Sequence, residues 1–393
     1  MQEADGSGAG LDAADGVRGR LAGDGEGRVV AELELRPLRV VEASGSPLAR
    51  GRQIGEQLRD EVQDGLQRWK EAVARRVASS FEEYLEMWLA ATNFVPAIMR
   101  WCPDLHAEVE GVAQGGCVDP RELMAFQWQD EEWWFWCGRR PSPKGLGRAC
   151  TAMGFRDGPH GGALLAQNMD VPAYLDGGQV LLRIHDDDGM SILVYTVAGL
   201  IALNGLNSAG VGVCCNTLMQ LQPDAGGLPV AFVVRSVLTM RSVGAVRDFL
   251  SGIQHASGQN YMVGDPRNVA DFECSAGGVT ELLAGSAVVC HTNHPLASKD
   301  LRQGLNPRAL TPATSEERLR CVERAVVDRH RPFGVEAIKE TLSDTSVPVC
   351  LCGDASGSGS ITIGCLVLEL SKKSRLHVAP GPPVMTPFAV VDV

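Results

Sequence analysis

Arg148-Ala149-Cys150-Thr151-Ala152-Met153-Gly154-Phe155 lies at a seam in the chain. Before it runs Arg139-Arg140-Pro141-Ser142-Pro143-Lys144-Gly145-Leu146-Gly147, whose two prolines and two glycines read as an exposed loop. After it come short apolar runs with strand character. Cys150 is therefore a thiol placed where a loop enters a sheet. Taken alone, such a cysteine is a small buried hydrophobe. The other reading makes it a nucleophile: the chain cuts itself between Ala149 and Cys150, and the new terminus supplies a thiol and an amine from one residue. A thiol titrates at about 8.5 and an α-amine at about 7.7 to 8.0, so near neutral pH a proton can pass between them and no histidine is needed.

The remainder of the chain decides between these readings. With 393 residues, 45% of them hydrophobic, it can bury a large core. Its formal net charge of -12 and pI near 5.2 exclude a general binder of nucleic acid or anionic membrane, which needs a basic surface field. Twelve cysteines occur, yet no pair of Cys-x-x-Cys clusters is present, so their spacing does not describe a structural zinc site. Cys214-Cys215 and Cys365 fall inside apolar runs, as reduced thiols of a cytoplasmic protein would. Neither a secretory pattern nor about 18 unbroken apolar residues is seen, so neither export nor membrane spanning is expected. Residues 1–28, rich in Gly, Ala and Asp, read as a disordered tail.

From residue 29 to 149 the pattern is mainly helical. Strand-like runs at 29–35 and 38–42 come first. Ile54, Leu58, Val62, Leu66, Trp69, Val73 and Val77 then predict one amphipathic helix of about two dozen residues. A second helical stretch carries Phe81 to Phe94, and a third opens at Pro103-Asp104 and ends at Gly115-Gly116. Phe126 to Trp136 holds four of the seven tryptophans. It reads either as aromatic packing where a helix meets a sheet or as a substrate-pocket wall, with Trp133 and Trp134 as candidates. After Cys150, short runs near 164–167, 180–184, 191–196 and 211–215 predict antiparallel strands. Helices are expected at 229–240, 243–250, 315–328 and 335–342, with further strands near 261–263, 269–273, 279–283, 287–291, 361–370 and 375–378. Strands with intervening helix pairs fit sheets stacked between helical layers.

In order, several motifs resemble the acyl-coenzyme A:isopenicillin-N (6-aminopenicillanate) acyltransferase family of N-terminal nucleophile hydrolases. They run from Gly45-Ser46-Pro47 with Arg50-Gly51-Arg52-Gln53-Ile54-Gly55, through Glu110-Gly111-Val112-Ala113-Gln114-Gly115, to Ala149-Cys150-Thr151 and Ala166-Gln167-Asn168-Met169-Asp170. Gly205 to Val213, Gln259-Asn260-Tyr261, His291-Thr292-Asn293-His294 and Gly381-Pro382-Pro383 complete the series. The resemblance implies an α+β fold, a four-layer αββα sandwich of two antiparallel sheets. Residues 29–149 would be the α chain after self-cleavage and residues 150–393 the catalytic β chain of the same domain.

The same resemblance implies amide cleavage or formation through a thioester on Cys150. It places Asp170 against the α-amine of the mature Cys150, Asn260 as an oxyanion donor and Asn216 facing the substrate. Apart from it, Asp170 is a solvated loop residue and Asn260 a turn cap. Arg318 corresponds to a Ser-and-Arg element lining the site, although the serine here is three residues earlier, at Ser315. Arg320 competes for that part, and a surface arginine paired with Glu316 or Glu323 remains open. His291 and His294 have no Glu between them and precede Pro295, which excludes the zinc-binding helix motif. Gly205 to Gly210 lacks the Lys-Ser/Thr ending of a phosphate loop. No cofactor and no metal are expected. The partners are a small acyl amide, or an acyl donor plus an amine, and the oligomeric state is not readable. The excess of Arg over Lys carries a faint sign of secondary metabolism. The rivals are an uncut cysteine hydrolase with a histidine base, and an inactive binding protein on the same fold.

Overall fold

A computed structural model describes residues 38–137, 149–158, 161–186, 188–282, 287–327, 334–353 and 359–393. The expected tail at 1–28, the strand at 29–35 and the loop at 139–147 lie outside them. The described residues open with β1 (Arg39–Ser44) and seven helices: α1 (Pro47–Gln57), α2 (Arg59–Ala74), α3 (Phe81–Ala90), α4 (Phe94–Trp101), α5 (Pro103–Gly116), α6 (Pro120–Phe126) and α7 (Glu131–Cys137). Next come β2 (Thr151–Phe155), β3 (Ala163–Pro172), β4 (Gln179–His185), β5 (Ser191–Val197), β6 (Asn204–Asn207) and β7 (Gly212–Thr217). The pair α8 (Val230–Val237) and α9 (Val243–Gly252) precedes β8 (Gln259–Gly264), β9 (Val269–Ser275), β10 (Gly278–Leu282) and β11 (Val288–His291). The chain closes through α10 (Pro307–Leu310), α11 (Ser315–Val327), α12 (Val335–Leu342), β12 (Ser360–Leu370), β13 (Arg375–Ala379) and β14 (Ala389–Asp392).

Among the described residues these strands form two sheets, one of eight in the order β1-β4-β5-β6-β7-β8-β9-β10 and one of six in the order β11-β2-β3-β12-β13-β14. Alternation along each strand builds the layers. In β12, Leu366, Leu368 and Leu370 meet Leu181, Leu193 and Met262 of the other sheet. Cys365 and Val367, one residue out of step, join Leu319, Val322, Ile338 and Leu342 of α11 and α12. The outer face of the larger sheet, with Val213, Tyr261 and Phe272, is covered by α8, α9 and the N-terminal helices. The order is helix, sheet, sheet, helix, an α+β sandwich.

Three expectations change. The larger sheet is mixed, because edge strand β1 runs parallel to β4. A parallel neighbour needs a long crossover, and α1 to α7 lie within it. The single helix over 54–77 is two, divided at Leu58 (φ -116, ψ 25). Leu58 is itself fully buried, so the apolar stripe runs unbroken across the kink. The aromatic stretch packs on helices more than on sheet: Phe126 meets Trp69 at 5.6 Å, Trp128 meets Phe94 at 5.1 Å, and Trp136 stacks on Tyr84 at 5.4 Å. Two glycine motifs are explained by close approach. A Cβ on Gly51 of α1 would sit 1.9 Å from Glu108 O, and one on Gly111 of α5 would sit 2.3 Å from Leu48 O, so the two helices cross backbone to backbone. Among the described residues no helix is long and apolar enough to cross a membrane.

Candidate active site

Cys150 immediately precedes β2. Ala152 faces the other sheet while Met153 faces the helices, so alternation turns Cys150 inward with Ala152 and sends Thr151 outward. Cys150 is 4% and Ala149 7% exposed. The Cys150 Sγ approaches the Asp170 carbonyl oxygen at 3.7 Å, which follows from register, since Thr151 pairs with Asn168 on β3. Cys150 also lines a cavity of about 20 Å³ with Met169, Ala202, Leu203, Val230 and Val234, room for about one water. The polar part of its wall is Asp130, Thr217 and Cys215.

The helix-facing side of the β2–β3 hairpin receives Arg318 from α11. Its Nη1 donates to the Cys150 carbonyl at 2.7 Å and to Thr151 Oγ1 at 2.8 Å, and its Nη2 donates to Asn293 Oδ1 at 2.9 Å. Asn293 is held in turn by Ser315 Oγ at 2.9 Å and by the Thr217 carbonyl at 3.1 Å. Arg318 is thus buried in the cluster, whereas Arg320 is exposed and paired with Glu316 at 2.7 Å. Asp170 points into the same layer. Its Oδ1 accepts from Thr362 Oγ1 at 2.5 Å, and its Oδ2 is buried without a hydrogen-bond partner among the described residues. Burial pushes its carboxyl up to about 7, against the pull of the Thr362 hydroxyl and the Arg318 charge. Asn168, two residues earlier, ties β3 to α12 and the segment after it through Leu342 O and Val349 O, each at 2.7 Å.

Asn260 and Asn216 sit opposite each other on β8 and β7 of the larger sheet. Asn260 Nδ2 donates to Asp271 Oδ1 at 2.7 Å and to Asn216 Oδ1 at 3.4 Å. Burial pushes Asp271 up to about 6, opposed by His291 and by the Asn260 hydrogen bond. His291 is engaged with Glu273 at 3.0 Å and the Thr292 carbonyl at 2.9 Å, and His294 with Ser315 at 2.8 Å. Thus Cys150, Asp170 and Arg318 form one bonded cluster. Asn260 and Asn216 pair with each other, and neither lines the cavity at Cys150. Trp133 and Trp134 do not line it either. Trp134 Nε1 donates to Leu221 O at 3.4 Å, and Arg76 lies over the Trp133 ring at 5.6 Å.

Sequence reading passed over Asp130, the carboxylate that shares the Cys150 cavity. Its Oδ2 accepts from Gln259 Nε2 at 2.8 Å and Thr217 Oγ1 at 3.0 Å. A signal was present: Gln129, Asp130, Glu131 and Glu132 interrupt an aromatic run, and all four are buried. Carboxylates embedded among tryptophans mark a site more often than a solvated face. Glu131 caps α8 through Val230 N at 3.0 Å and accepts from Ser257 at 2.7 Å, and burial with the neighbouring Asp130 charge pushes it up to about 7.

Residues 158–377 match the family described as acyl-coenzyme A:6-aminopenicillanic acid acyl-transferase. That is more than half of the chain; the match begins just after Cys150 and contains Asp170, Asn216, Asn260 and Arg318. Among solved structures, the chain is similar to a conjugated bile acid hydrolase from Clostridium perfringens, at 14% identity and TM-score 0.42 over 62% of this chain and 92% of that one. It is also similar to penicillin V acylase from Agrobacterium tumefaciens, at 15% identity and TM-score 0.40 over 62% of this chain and 86% of that one. With its match spanning both sheets and the helices beyond them, this chain belongs to the acyl-coenzyme A:6-aminopenicillanic acid acyl-transferase family.

Proposed function

We propose that the protein is a self-processing thiol amidohydrolase or acyltransferase in which Cys150 becomes the N-terminal nucleophile. In processing, the Cys150 sulfur attacks the Ala149 carbonyl and the bond to the Cys150 nitrogen breaks. Water then hydrolyses the resulting thioester, leaving a carboxylate on Ala149 and an amine on Cys150. In turnover, the thiol proton passes to that amine as sulfur attacks the substrate carbonyl, and from the amine to the departing nitrogen as the carbon–nitrogen bond breaks. Water or a second amine next attacks the thioester, and its proton returns through the amine to sulfur.

The observation that carries this reading is the Arg318 guanidinium on the Cys150 carbonyl at 2.7 Å, in one cluster with Asp170. It fixes the residue whose two ends must react, while the buried Asp170 Oδ2 is suited to receive a new ammonium. Asn260 is assigned to the oxyanion, where a fixed amide donor is worth roughly 2.7 to 4 kcal/mol, and Asn216 to the substrate. Among the described residues no histidine lines the cavity at Cys150, which weighs against a histidine base. The substrate is a small acyl amide, or an acyl donor with an amine. Burial pushes the strand thiols of Cys214 and Cys365 well up, so they act as inert hydrophobes and fit a reducing, cytoplasmic compartment.

Intact-mass analysis tests the proposal. The purified wild-type protein should give fragments of residues 1–149 and 150–393, and a panel of acyl amides should add an acyl mass to the second. Cys150→Ala should remain whole and unlabelled; normal processing of that variant refutes the assignment.

A further inference from the structure

Cys350-Leu351-Cys352 stands apart from the strand thiols because its two cysteines differ in access: Cys350 is 4% exposed, whereas Cys352 lies on the surface. Side chains two positions apart on an extended chain point to the same side. Their Cα atoms can be no more than about 7 Å apart, against about 4.4 to 6.8 Å across a disulfide. The two thiols already act on each other. Burial, the charges of Cys352 and Asp170 and a side-chain hydrogen bond with Cys352 push the Cys350 thiol up to about 12, opposed by the Val384 backbone N–H just after Gly381-Pro382-Pro383. The same segment is tied to β3 and β12. Val349 O accepts from Asn168 Nδ2 at 2.7 Å. Leu351, between the two cysteines, donates its N–H to Thr362 Oγ1 at 2.8 Å and accepts at its carbonyl from Thr362 N at 2.9 Å. Thr362 Oγ1 in turn donates to Asp170 Oδ1 at 2.5 Å. One residue therefore joins the thiol pair to the Asp170 carboxyl.

We propose that Cys350 and Cys352 are a thiol modification site, closed to an intrachain disulfide by a low-molecular-weight disulfide, and that closure loosens Thr362 from Asp170. The exposed Cys352 thiolate attacks one sulfur of the small disulfide. That sulfur–sulfur bond breaks, one small thiolate leaves and takes a proton from solvent, and a mixed disulfide remains on Cys352. Capping removes the Cys352 charge, one of the causes that hold the proton on Cys350. Cys350 then loses that proton to solvent and attacks the Cys352 sulfur, and the second small thiolate leaves and is protonated. Two protein thiols are oxidised, and one small disulfide is reduced to two thiols. The Leu351 backbone becomes part of the ring so closed, and its N–H and carbonyl must re-aim away from Thr362 as the sulfurs draw together. In a reducing compartment the pair rests as a dithiol and closes under oxidation. The effect on turnover rests on the roles proposed for Cys150 and Asp170; the disulfide itself does not.

Incubation of the purified full-length protein with glutathione disulfide, followed by alkylation of the remaining thiols in denaturant and peptide mapping by mass, tests the site. Wild type should give the peptide with Cys350 and Cys352 unalkylated and lighter by two hydrogens, and Cys350→Ser should give Cys352 carrying glutathione. Full alkylation of both cysteines, or a lasting glutathione adduct on Cys352 of the wild type, overturns the site. Amide hydrogen exchange at Leu351 and Thr362 reads the link to Asp170 without any activity. It should quicken by on the order of tenfold in the oxidised wild type, the scale of one hydrogen bond lost, and stay unchanged in Cys352→Ser. Equal exchange before and after oxidation overturns the link. Acylation of Cys150 by an acyl amide should slow after oxidation of the wild type and recover with dithiothreitol. Cys352→Ser should match the reduced wild type throughout. An equal loss in Cys352→Ser traces the effect to oxidation of Cys150 itself and overturns the link. If no acyl amide acylates Cys150, the chemistry proposed for that thiol fails, while peptide masses and exchange still decide this site.

Discussion

Asp170→Asn should make the uncut protein more stable at neutral pH, although it removes the carboxylate assigned to the site. The comparison is made in a Cys150→Ala chain, which holds the protein whole. Burial raises the Asp170 carboxyl from 3.8 to about 7 in the folded chain, whereas in the unfolded chain it titrates near about 3.9. The folded state therefore binds the proton more tightly. Its contribution to stability is full below about pH 4 and is lost as pH rises through about 7. A carboxyl that keeps its proton from about pH 4 to about pH 7 is worth about 4 kcal/mol as an upper figure. Asn does not titrate, and it can still bond Thr362, whose hydroxyl already accepts from Leu351 N at 2.8 Å. Urea unfolding of both chains between pH 4 and 8 should thus give curves that coincide at the acid end and diverge upward in favour of Asn. Glu131 and Asp271, also raised by burial, tilt both curves alike and cancel in the difference. Parallel curves over the whole range would refute the burial argument. A second arm concerns the processed protein. There the Cys150 ammonium should draw the Asp170 carboxyl down, so the divergence should shrink after cutting.

The remaining predictions concern Arg318 and the helix crossing. Arg318→Met removes the donor to three buried acceptors, the Cys150 carbonyl, Thr151 Oγ1 and Asn293 Oδ1. The expected loss is about 2 to 5 kcal/mol in chemical unfolding, with slowed appearance of the 150–393 fragment by mass; normal stability and normal processing together would remove Arg318 from the site. Gly51→Ala should lower stability by about 1 to 3 kcal/mol, because its methyl group meets backbone of α5 rather than a side chain that can turn away. A thermal melt within a degree of wild type would show that the crossing of α1 and α5 has slack.

What the sequence could disclose depended on how local each cause was. Pro103 and the glycines at 115 and 116 bound α5 as expected, and the chain leaves that helix through Cys117 at φ 53. The kink at Leu58 was hidden because hydrophobic periodicity records which face is buried, and α1 and α2 bury the same one. The parallel pairing of β1 with β4 joins Arg39 to Val180, a partner too distant in the chain for any local pattern to name. The burial of Arg318 has a local cause and is legible in the helix pattern. In α11 the buried positions are Ser315, Arg318, Leu319 and Val322, a helical stripe that includes 318 and leaves 320 outside. Asp130 was missed because an acidic run suggests solvent, and only the tertiary packing of α3 and α4 against Trp128 and Phe135 reverses that.

The division of the site between layers follows from the same alternation. Thr151 faces outward, so the guanidinium that holds the Cys150 carbonyl must come from α11 on the outer helical layer. Cys150 faces inward, so its cavity is walled by Asp130, Ala202 and Thr217 from the larger sheet and the helices beyond it, together with Met169 of its own sheet. Thr217 joins the two sides, since its carbonyl accepts from Asn293 and its hydroxyl donates to Asp130. A hydrogen-bonded path therefore runs from Arg318 through Asn293 and Thr217 to Asp130, around Cys150 rather than through it. A shift of one sheet against the other would strain that path, because Arg318 and Asn293 approach it from the side of the smaller sheet and Thr217 and Asp130 from the side of the larger.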